Sequence, residues 1–104
     1  MPKPVRPSGI TLSVPDSQFG LEVYATVNEV IGDMWVKMTG SQEGKVVYAQ
    51  YAFVQPKTKM AGPFMLGSTP SWSGGAADGR AEVGTWTPQW VFKVLATTTF
   101  KIAA

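Results

Sequence analysis

The sequence predicts an all-β protein in which six or seven antiparallel strands form a two-sheet sandwich or a small barrel. Apolar and polar residues alternate with a period of two through most of the chain, and no segment shows the 3.6-residue period of an amphipathic helix. Turn residues recur at short intervals, because the chain of 104 residues contains 11 glycines and 8 prolines. This length is typical of one domain with one core, which we place at residues 10–104.

Seven segments are predicted as strands. They cover residues 10–14, 20–28, 34–39, 45–54, 64–66, 80–86 and 90–102. The first three alternate cleanly between apolar and polar residues, which is typical of strands with one face on a core and one face in solvent. Residues 15–18 are predicted as a turn and residues 40–44 as a hairpin loop, because glycine stands at both ends of the latter. The short fifth segment is predicted as an edge strand between Pro63 and Gly67.

The fourth predicted strand is apolar on both faces. Val46, Tyr48 and Val54 lie on one side by alternation, and Tyr51 and Phe53 lie on the other. Either both faces are covered within the fold, or one aromatic face is free for a partner.

The last two segments are predicted to form a closing hairpin around a tight turn at residues 87–89. Alternation in the second of them predicts an inner wall of the sandwich. The residues on that predicted inner face are Trp90, Phe92, Val94, Ala96, Phe100 and Ile102, with Thr98 as a polar interruption.

Residues 1–9 are predicted to be an extended, proline-rich N-terminal arm. Pro2, Pro4 and Pro7 each fix one backbone φ angle and remove one amide donor, so this segment is expected to stay outside any sheet. Two interpretations remain open: a loose leader, or an arm that docks against a neighbouring subunit.

The net charge, the apolar runs and residues 1–9 limit the partners and the cellular location that we expect for this protein. The net charge of +2 is small and scattered, so we expect no nucleic-acid partner. No apolar run is long enough for a membrane span, and residues 1–9 lack the apolar core of a signal peptide. We therefore expect synthesis in the cytosol without a signal peptide, and no membrane span.

Catalytic side chains are scarce. Without histidine or cysteine, a Ser-His-Asp triad, an imidazole metal site and a thiol nucleophile are excluded. The seven acidic residues fall singly along the chain, with no spacing that indicates a paired-carboxylate site. Asp78 and Glu82 could supply oxygen ligands to a calcium ion, but a turn at Asp78-Gly79 is the preferred interpretation. We predict no enzyme, no catalytic residue, no metal site and no cofactor.

Aromatic side chains are the remaining candidates for a functional surface. Three roles are open to them: packing in the core, anchoring a subunit interface, or stacking against a glycan. An error of one residue in a strand would move each side chain to the opposite face. The candidate interface or ligand-contact residues, predicted to lie on outward faces or in a loop, are Tyr24, Trp35, Tyr48, Tyr51, Trp72 and Trp86.

Residues 74–83, 92–102 and 42–48 resemble the closing strands and the middle hairpin of a known group. These are small immunoglobulin-like β-sandwich proteins of actinobacteria and their phages. The resemblance implies an immunoglobulin-like antiparallel two-sheet sandwich of about seven strands. It also implies a cysteine pair near the positions of Gly40 and Gly79; this chain has glycine at both, so the inter-sheet disulfide is missing, which suits a reducing compartment.

We therefore expect a non-enzymatic structural or binding protein. The resemblance implies an immunoglobulin-like subunit of a larger assembly, with a phage virion protein (capsid-decorating or tail-associated) as the leading interpretation. Its partners would be proteins of that assembly, other copies of the chain included, and its location the virion surface. The alternative is a carbohydrate-binding or adhesion module that contacts a glycan through exposed aromatic residues.

Overall fold

The computed structural model describes residues 9–67, 70–72 and 74–104. These residues contain eight strands and no helix, and 61% of them lie in strands. The strands are β1 (Leu12–Ser13), β2 (Ser17–Gln18), β3 (Glu22–Val27), β4 (Trp35–Gln42), β5 (Lys45–Gln55), β6 (Met60–Met65), β7 (Ala77–Trp86) and β8 (Phe92–Ala103). The predicted all-β class is confirmed. Most of the predicted arm, residues 1–8, lies outside the described residues.

The strands form one continuous curled sheet in the order β1-β3-β6-β5-β4-β7-β8-β2. All neighbouring strands are antiparallel except β2 and β8, which run parallel, so the sheet is mixed. The long β5 joins the two halves, because eight of its first nine residues pair with β4 and its last two pair with β6. No helix able to cross a membrane occurs in the described part of the chain.

The core lies inside the curl. Val23, Ala25 and Val27 on β3 are buried, as are Val36 and Met38 on β4, while the residues between them point outwards. The alternation predicted for both strands is confirmed. Removal of these side chains from water is the main stabilising contribution, since burial of one such side chain is worth roughly 1.5–3 kcal/mol.

Three local predictions were wrong. The hairpin loop predicted at residues 40–44 shrinks to Glu43 and Gly44, whose φ angles of 51° and 78° fit the two-residue turn that matches the twist of β4 and β5. The predicted edge strand 64–66 is the longer β6, which lies between β3 and β5. The predicted turn 15–18 contains β2, which extends the sheet beyond β8.

The positions of Gly40 and Gly79 are directly opposite each other on the neighbouring strands β4 and β7. In this chain the two positions therefore lie on adjacent strands of one sheet, where a cysteine pair would link β4 to β7. Glycine has a packing reason at both. A Cβ on Gly79 would overlap the ring of Phe100, and a Cβ on Gly40 would lie 3.3 Å from the indole of Trp72.

Candidate functional site

Two bulges decide which side chains face outwards. In the β7–β8 pair, Val83 is opposite Ala96 while the next residue, Gly84, is opposite Val94, so Leu95 is an extra residue. An extra residue reverses the alternation of side chains along a strand. Phe100 and Ile102 therefore point into the core as predicted, but Phe92 and Val94 point to the outer face. The predicted inner wall is wrong for its first half.

The second bulge lies in the β4–β5 pair. Gly40 is opposite Tyr48, and Ser41 is opposite Val46, so Val47 is an extra residue in β5. Val46 consequently lies on the outer side and is 61% exposed, whereas Tyr48 is buried. The predicted placement of both residues on one face was wrong, because period-two alternation cannot reveal an inserted residue.

Five aromatic side chains meet on the outer face of β4, β5, β7 and β8. We call this set the aromatic face; its members are Trp35, Tyr51, Phe53, Trp86 and Phe92. Trp35 and Phe53 pack edge to face with their ring centroids 5.4 Å apart. Tyr51, Trp86 and Phe92 form a triad with centroid distances of 5.0–5.5 Å.

The planes of these rings are tilted strongly against one another. The angle between ring planes is 42° for Tyr51 and Trp86, 55° for Trp86 and Phe92, and 83° for Tyr51 and Phe92. The rings therefore stabilise each other through tilted and edge-to-face contacts. The triad therefore presents an uneven apolar surface, because no two of its rings share a plane.

The hairpin loop between β7 and β8 carries the most exposed large apolar side chain described. Trp90 is 81% exposed and the adjacent Val91 is 60% exposed. We call these two residues the tip. The Trp90 amide donates to the Thr87 carbonyl at 2.9 Å, and the Thr87 amide donates to the Val91 carbonyl at 2.9 Å. These two hydrogen bonds constrain the backbone of the loop that carries the tip next to the aromatic face.

Trp90 has a φ angle of 62°, in the left-handed region. For a residue with a Cβ this conformation costs roughly 1–2 kcal/mol, and hairpin loops of this length usually place glycine there. Sequence reasoning placed Trp90 in the core. The signal that was missed is Pro88, which favours the second position of a turn and so puts Trp90 at the left-handed position of the loop.

The six predicted contact residues divide into three groups. Trp35, Tyr51 and Trp86 belong to the aromatic face, while Tyr24 is 40% exposed on the distant β3. Tyr48 and Trp72 are buried, with 3% and 5% of their surface exposed. The prediction that Tyr48 lies on an outward face was wrong, whereas Trp72 lies in a loop as predicted but packs inwards. Sequence reasoning missed the tip, and it also missed Phe53 and Phe92 as members of the aromatic face.

Tyr48 and Trp72 belong to a buried aromatic cluster. The Trp72 ring lies between Phe19, with a centroid distance of 5.1 Å, and Tyr48, with a centroid distance of 6.0 Å. Its indole N–H donates to the Gly75 carbonyl at 3.3 Å. The Tyr48 hydroxyl contacts the amide oxygen of Gln50. Burial of the phenol raises the pKa of Tyr48 to about 12.

The raised pKa of Tyr48 predicts a loss of stability at alkaline pH. The neutral phenol is favoured in the folded state, so its contribution is complete below pH 10 and disappears as the pH rises to about 12. Between these values the wild type should lose roughly 2 kcal/mol more unfolding free energy than Tyr48→Phe, which has no phenol to ionise. Urea unfolding of both proteins at pH 9 and pH 12 measures the difference; parallel losses would contradict a buried phenol.

A cleft of about 1030 Å³ lies at the end of the sheet opposite the tip. Apolar side chains of Leu21, Val47, Ala77 and Ile102 contribute to its walls. The tip follows Trp86 and precedes Phe92, whereas the cleft is formed around the other ends of the same strands, near Ala77 and Ile102. A strand of about ten residues therefore separates the two features, which corresponds to roughly 33 Å.

One rim of the cleft is fixed by hydrogen bonds and one ion pair. The Lys101 amide donates to an Asp16 carboxylate oxygen at 2.7 Å, and the Lys101 ammonium donates to Asp78 at 2.9 Å. That carboxylate raises the pKa of Lys101. The Gln42 side-chain amide donates to the Gly74 carbonyl at 2.9 Å and to the Ala76 carbonyl at 3.1 Å, which fixes the loop before β7.

Among the described residues no group of three or more acidic, histidine or cysteine side chains could hold a metal ion. Asp78 and Gly79 lie within β7, so the predicted turn at this pair was wrong. The Asp78 carboxylate binds Lys101.

Comparisons with known proteins found no relative of this chain, so a proposal about its function must rest on the fold and on the sites described above. No family model matches the chain, and neither the comparison with curated proteins nor that with solved structures finds a match.

Proposed function

We propose that this chain is a non-enzymatic binding protein that docks to a protein partner in a larger assembly through the tip and the neighbouring aromatic face. The observation that carries the proposal is Trp90, which is 81% exposed in a strained left-handed conformation. A tryptophan in this position costs folding free energy and buries little surface within the chain. Tryptophan at the centre of a protein interface is, by contrast, among the side chains that contribute most to binding.

An immunoglobulin-like relationship belongs to the same proposal. It is supported by the strand order when the two-residue β2 is set aside. The remaining order places β1-β3-β6-β5 next to β4-β7-β8, which corresponds to the strands ABED and CFG of a constant-type immunoglobulin domain. Here β5 pairs with strands of both halves, so the two sheets of such a sandwich are joined into one.

A protein partner fits the aromatic face better than a glycan. Sugar rings stack on flat, accessible aromatic faces, but the planes within the triad are tilted by 42–83° and the rings cover one another. Protein interfaces typically have an uneven apolar centre with a polar rim. Here the ammonium group of Lys37 lies 5.8 Å from the centre of the Tyr51 ring. Affinity electrophoresis on a broad glycan panel should leave the migration of the chain unchanged; retardation that Trp86→Ala removes would favour the glycan alternative.

The assembly that we propose is a phage virion, with the protein made in the cytosol and displayed on the particle surface. This part of the proposal rests on the resemblance of residues 42–48, 74–83 and 92–102 to small immunoglobulin-like proteins of actinobacteria and their phages. Capsid or tail genes beside the coding gene are the expected finding. A neighbourhood of purely cellular genes would contradict the virion assignment.

The amount of this protein that is incorporated into phage particles tests the proposed docking surface. Particles made with Trp90→Gly should contain the protein at a level reduced by about 30-fold or more, the loss typical of an interface hot spot. Ile31→Ser is the matched control, because Ile31 is also apolar and exposed but lies outside the tip and the aromatic face. Both variants should unfold at the temperature of the wild type or above it. Equal incorporation of all three proteins would overturn the proposal.

A further inference from the structure

The N-terminal arm leaves the fold at the end of the sheet that carries the aromatic face. Asn28 holds the first described residues there: its side-chain oxygen accepts from the Thr11 amide at 2.7 Å, and its side-chain amide donates to the Gly9 carbonyl at 3.1 Å. Asn28 directly follows β3. Since β3 and β5 both end beside the start of β6, this point lies at the same end of the fold as Phe53 of the aromatic face.

Residues 1–8 are long enough to reach that face in their own chain. Eight residues in the polyproline II conformation span roughly 25 Å. β1, which follows the arm, contacts both β7 and β8. Packed layers of strands lie about 10 Å apart and neighbouring strands about 5 Å apart, so the path from β1 to the outer side of β8 and β7 is roughly 15–20 Å. Phe92 and Trp86 stand on these two strands, within the reach of the arm.

The arm carries the side chains by which aromatic surfaces recognise proline-rich segments. Pro2, Pro4 and Pro7 restrict the backbone, so such a segment loses little conformational entropy when it binds. A polyproline II helix has three residues per turn and rises about 3.1 Å per residue, so Pro4 and Pro7 would stand on one side of it, about 9 Å apart. Segments with this spacing dock onto surfaces that are lined with aromatic rings.

The rings of the aromatic face form two groups at a comparable spacing. Trp35 packs on Phe53, and the other two rings of the triad pack around Tyr51. Tyr51 and Phe53 are two residues apart on β5, which corresponds to roughly 7 Å along the strand. Apolar surface stays open between the tilted rings, since Tyr51 is 40% exposed and the other four are half-buried. Each of the two prolines can therefore contact one group of rings.

Exposed carboxylates lie beside the point where the arm leaves the fold. Glu29 and Asp33 are exposed in the loop between β3 and β4, and neither forms an ion pair with a described residue. The arm brings two cations, Lys3 and Arg6. Opposite charges around an apolar contact favour one orientation of the bound segment.

We propose that residues 2–7 bind across the aromatic face of their own chain, so that this face is a binding site for a proline-rich segment with basic residues. The inference rests on the proposed function and adds regulation to it, because a protein partner must displace the arm before it can occupy the face. A segment tethered by a short linker has an effective concentration on the order of 1 mM. With a Kd of about 0.1 mM, the arm would occupy the face in roughly nine-tenths of the molecules.

A peptide of residues 1–8 tests this site in the full chain. The host is a variant that combines Pro2→Ser, Pro4→Ser and Pro7→Ser, called the arm variant, because its own arm no longer competes for the face. Titration of the isotope-labelled arm variant, followed by amide chemical shifts, should give a Kd of about 0.1 mM and shifts centred on β5, β7 and β8. The wild type should bind the same peptide about 10-fold more weakly, since its own arm occupies the face.

One substitution on the face and one away from it provide a matched pair. Trp86→Ala in the arm variant should weaken peptide binding by about 10-fold or more, because the triad loses its largest ring. Tyr24→Ala is the control and should leave the Kd unchanged, because Tyr24 is also an exposed aromatic residue but lies on β3, outside the face. A Kd above about 1 mM for the arm variant, or equal binding by its Trp86→Ala form, would overturn the proposal.

Sedimentation velocity separates binding within one chain from exchange of arms between copies. The wild type and the arm variant should both sediment as monomers up to about 1 mM. Dimers of the wild type that the arm variant does not form would overturn the arrangement within one chain, in favour of arms exchanged between two copies. A peptide that fails to bind would leave the docking role of Trp90 standing, because incorporation of Trp90→Gly into particles tests that role separately.

Discussion

Trp72→Ala is expected to reduce the unfolding free energy by about 3–5 kcal/mol, the range measured when large aromatic residues are removed from protein cores. Trp72 is 5% exposed and packs between Phe19 and Tyr48, so its removal leaves a cavity that these rings cannot fill without moving. The substitution also removes the indole N–H that donates to the Gly75 carbonyl, so this carbonyl loses its donor. Urea unfolding followed by circular dichroism measures the loss.

Trp86→Ala is the matched control for this experiment. Trp86 is half-buried on the aromatic face, so we expect a loss of no more than about 1–2 kcal/mol, in proportion to the smaller area removed from contact. A Trp72→Ala variant that is as stable as the wild type would mean that the residue lies on the surface, as the sequence alone predicted. It would also remove the physical basis of the buried aromatic cluster.

Gly79→Ala is expected to destabilise the fold by roughly 1–3 kcal/mol, the usual cost of excess volume in a well-packed core. The added methyl group would overlap the ring of Phe100, which covers Gly79 from the neighbouring strand β8. The backbone of Gly79 lies in a regular strand, so the cost arises from packing and not from an unusual φ angle.

A double-mutant cycle with Phe100→Leu isolates this contact. Leucine is smaller than phenylalanine and should leave room for the methyl group, so Gly79→Ala should cost at least about 1 kcal/mol less in that background. Strictly additive effects would show that the Phe100 ring does not cover Gly79. The measurement also tests the register of β7 and β8, which places the two residues opposite each other.

The sequence predicted the regular parts of the fold well because its strands follow simple alternation. Val23, Ala25 and Val27 were placed correctly on the core side of β3, and the hairpin of β7 and β8 was placed correctly around its turn. In β3 the buried residues keep a strict period of two, because the register shift between Val23 and Ala25 comes from an extra residue in the partner strand β6 and not in β3 itself.

The errors concentrate where the pairing is irregular. Val47 and Leu95 are extra residues in their strands, and each reverses the faces of the residues that follow or precede it. Neither residue type marks a bulge in the sequence. Trp72 lies in a segment rich in glycine and serine without any period, so only tertiary packing determines that it is buried.

Part of the candidate site was predictable because it lies in strand segments with regular alternation. Trp35, Tyr51 and Trp86 lie in strand segments whose alternation was interpreted correctly, and they meet on one face. Trp90 was assigned to the core because it extends the apolar alternation of β8 towards the turn. The three-residue loop that begins at Pro88 overrides that alternation and places the indole in solvent.

The unfolding free energy of Trp90→Gly, measured in dilute solution, tests most directly whether Trp90 serves docking and not folding. We predict that the variant is as stable as the wild type or more stable by up to about 1 kcal/mol, because relief of the left-handed strain outweighs the added chain entropy of glycine. This result would mean that Trp90 does not serve folding. A loss of more than about 1 kcal/mol would show that the indole packs within its own chain, and would contradict its role as a docking residue.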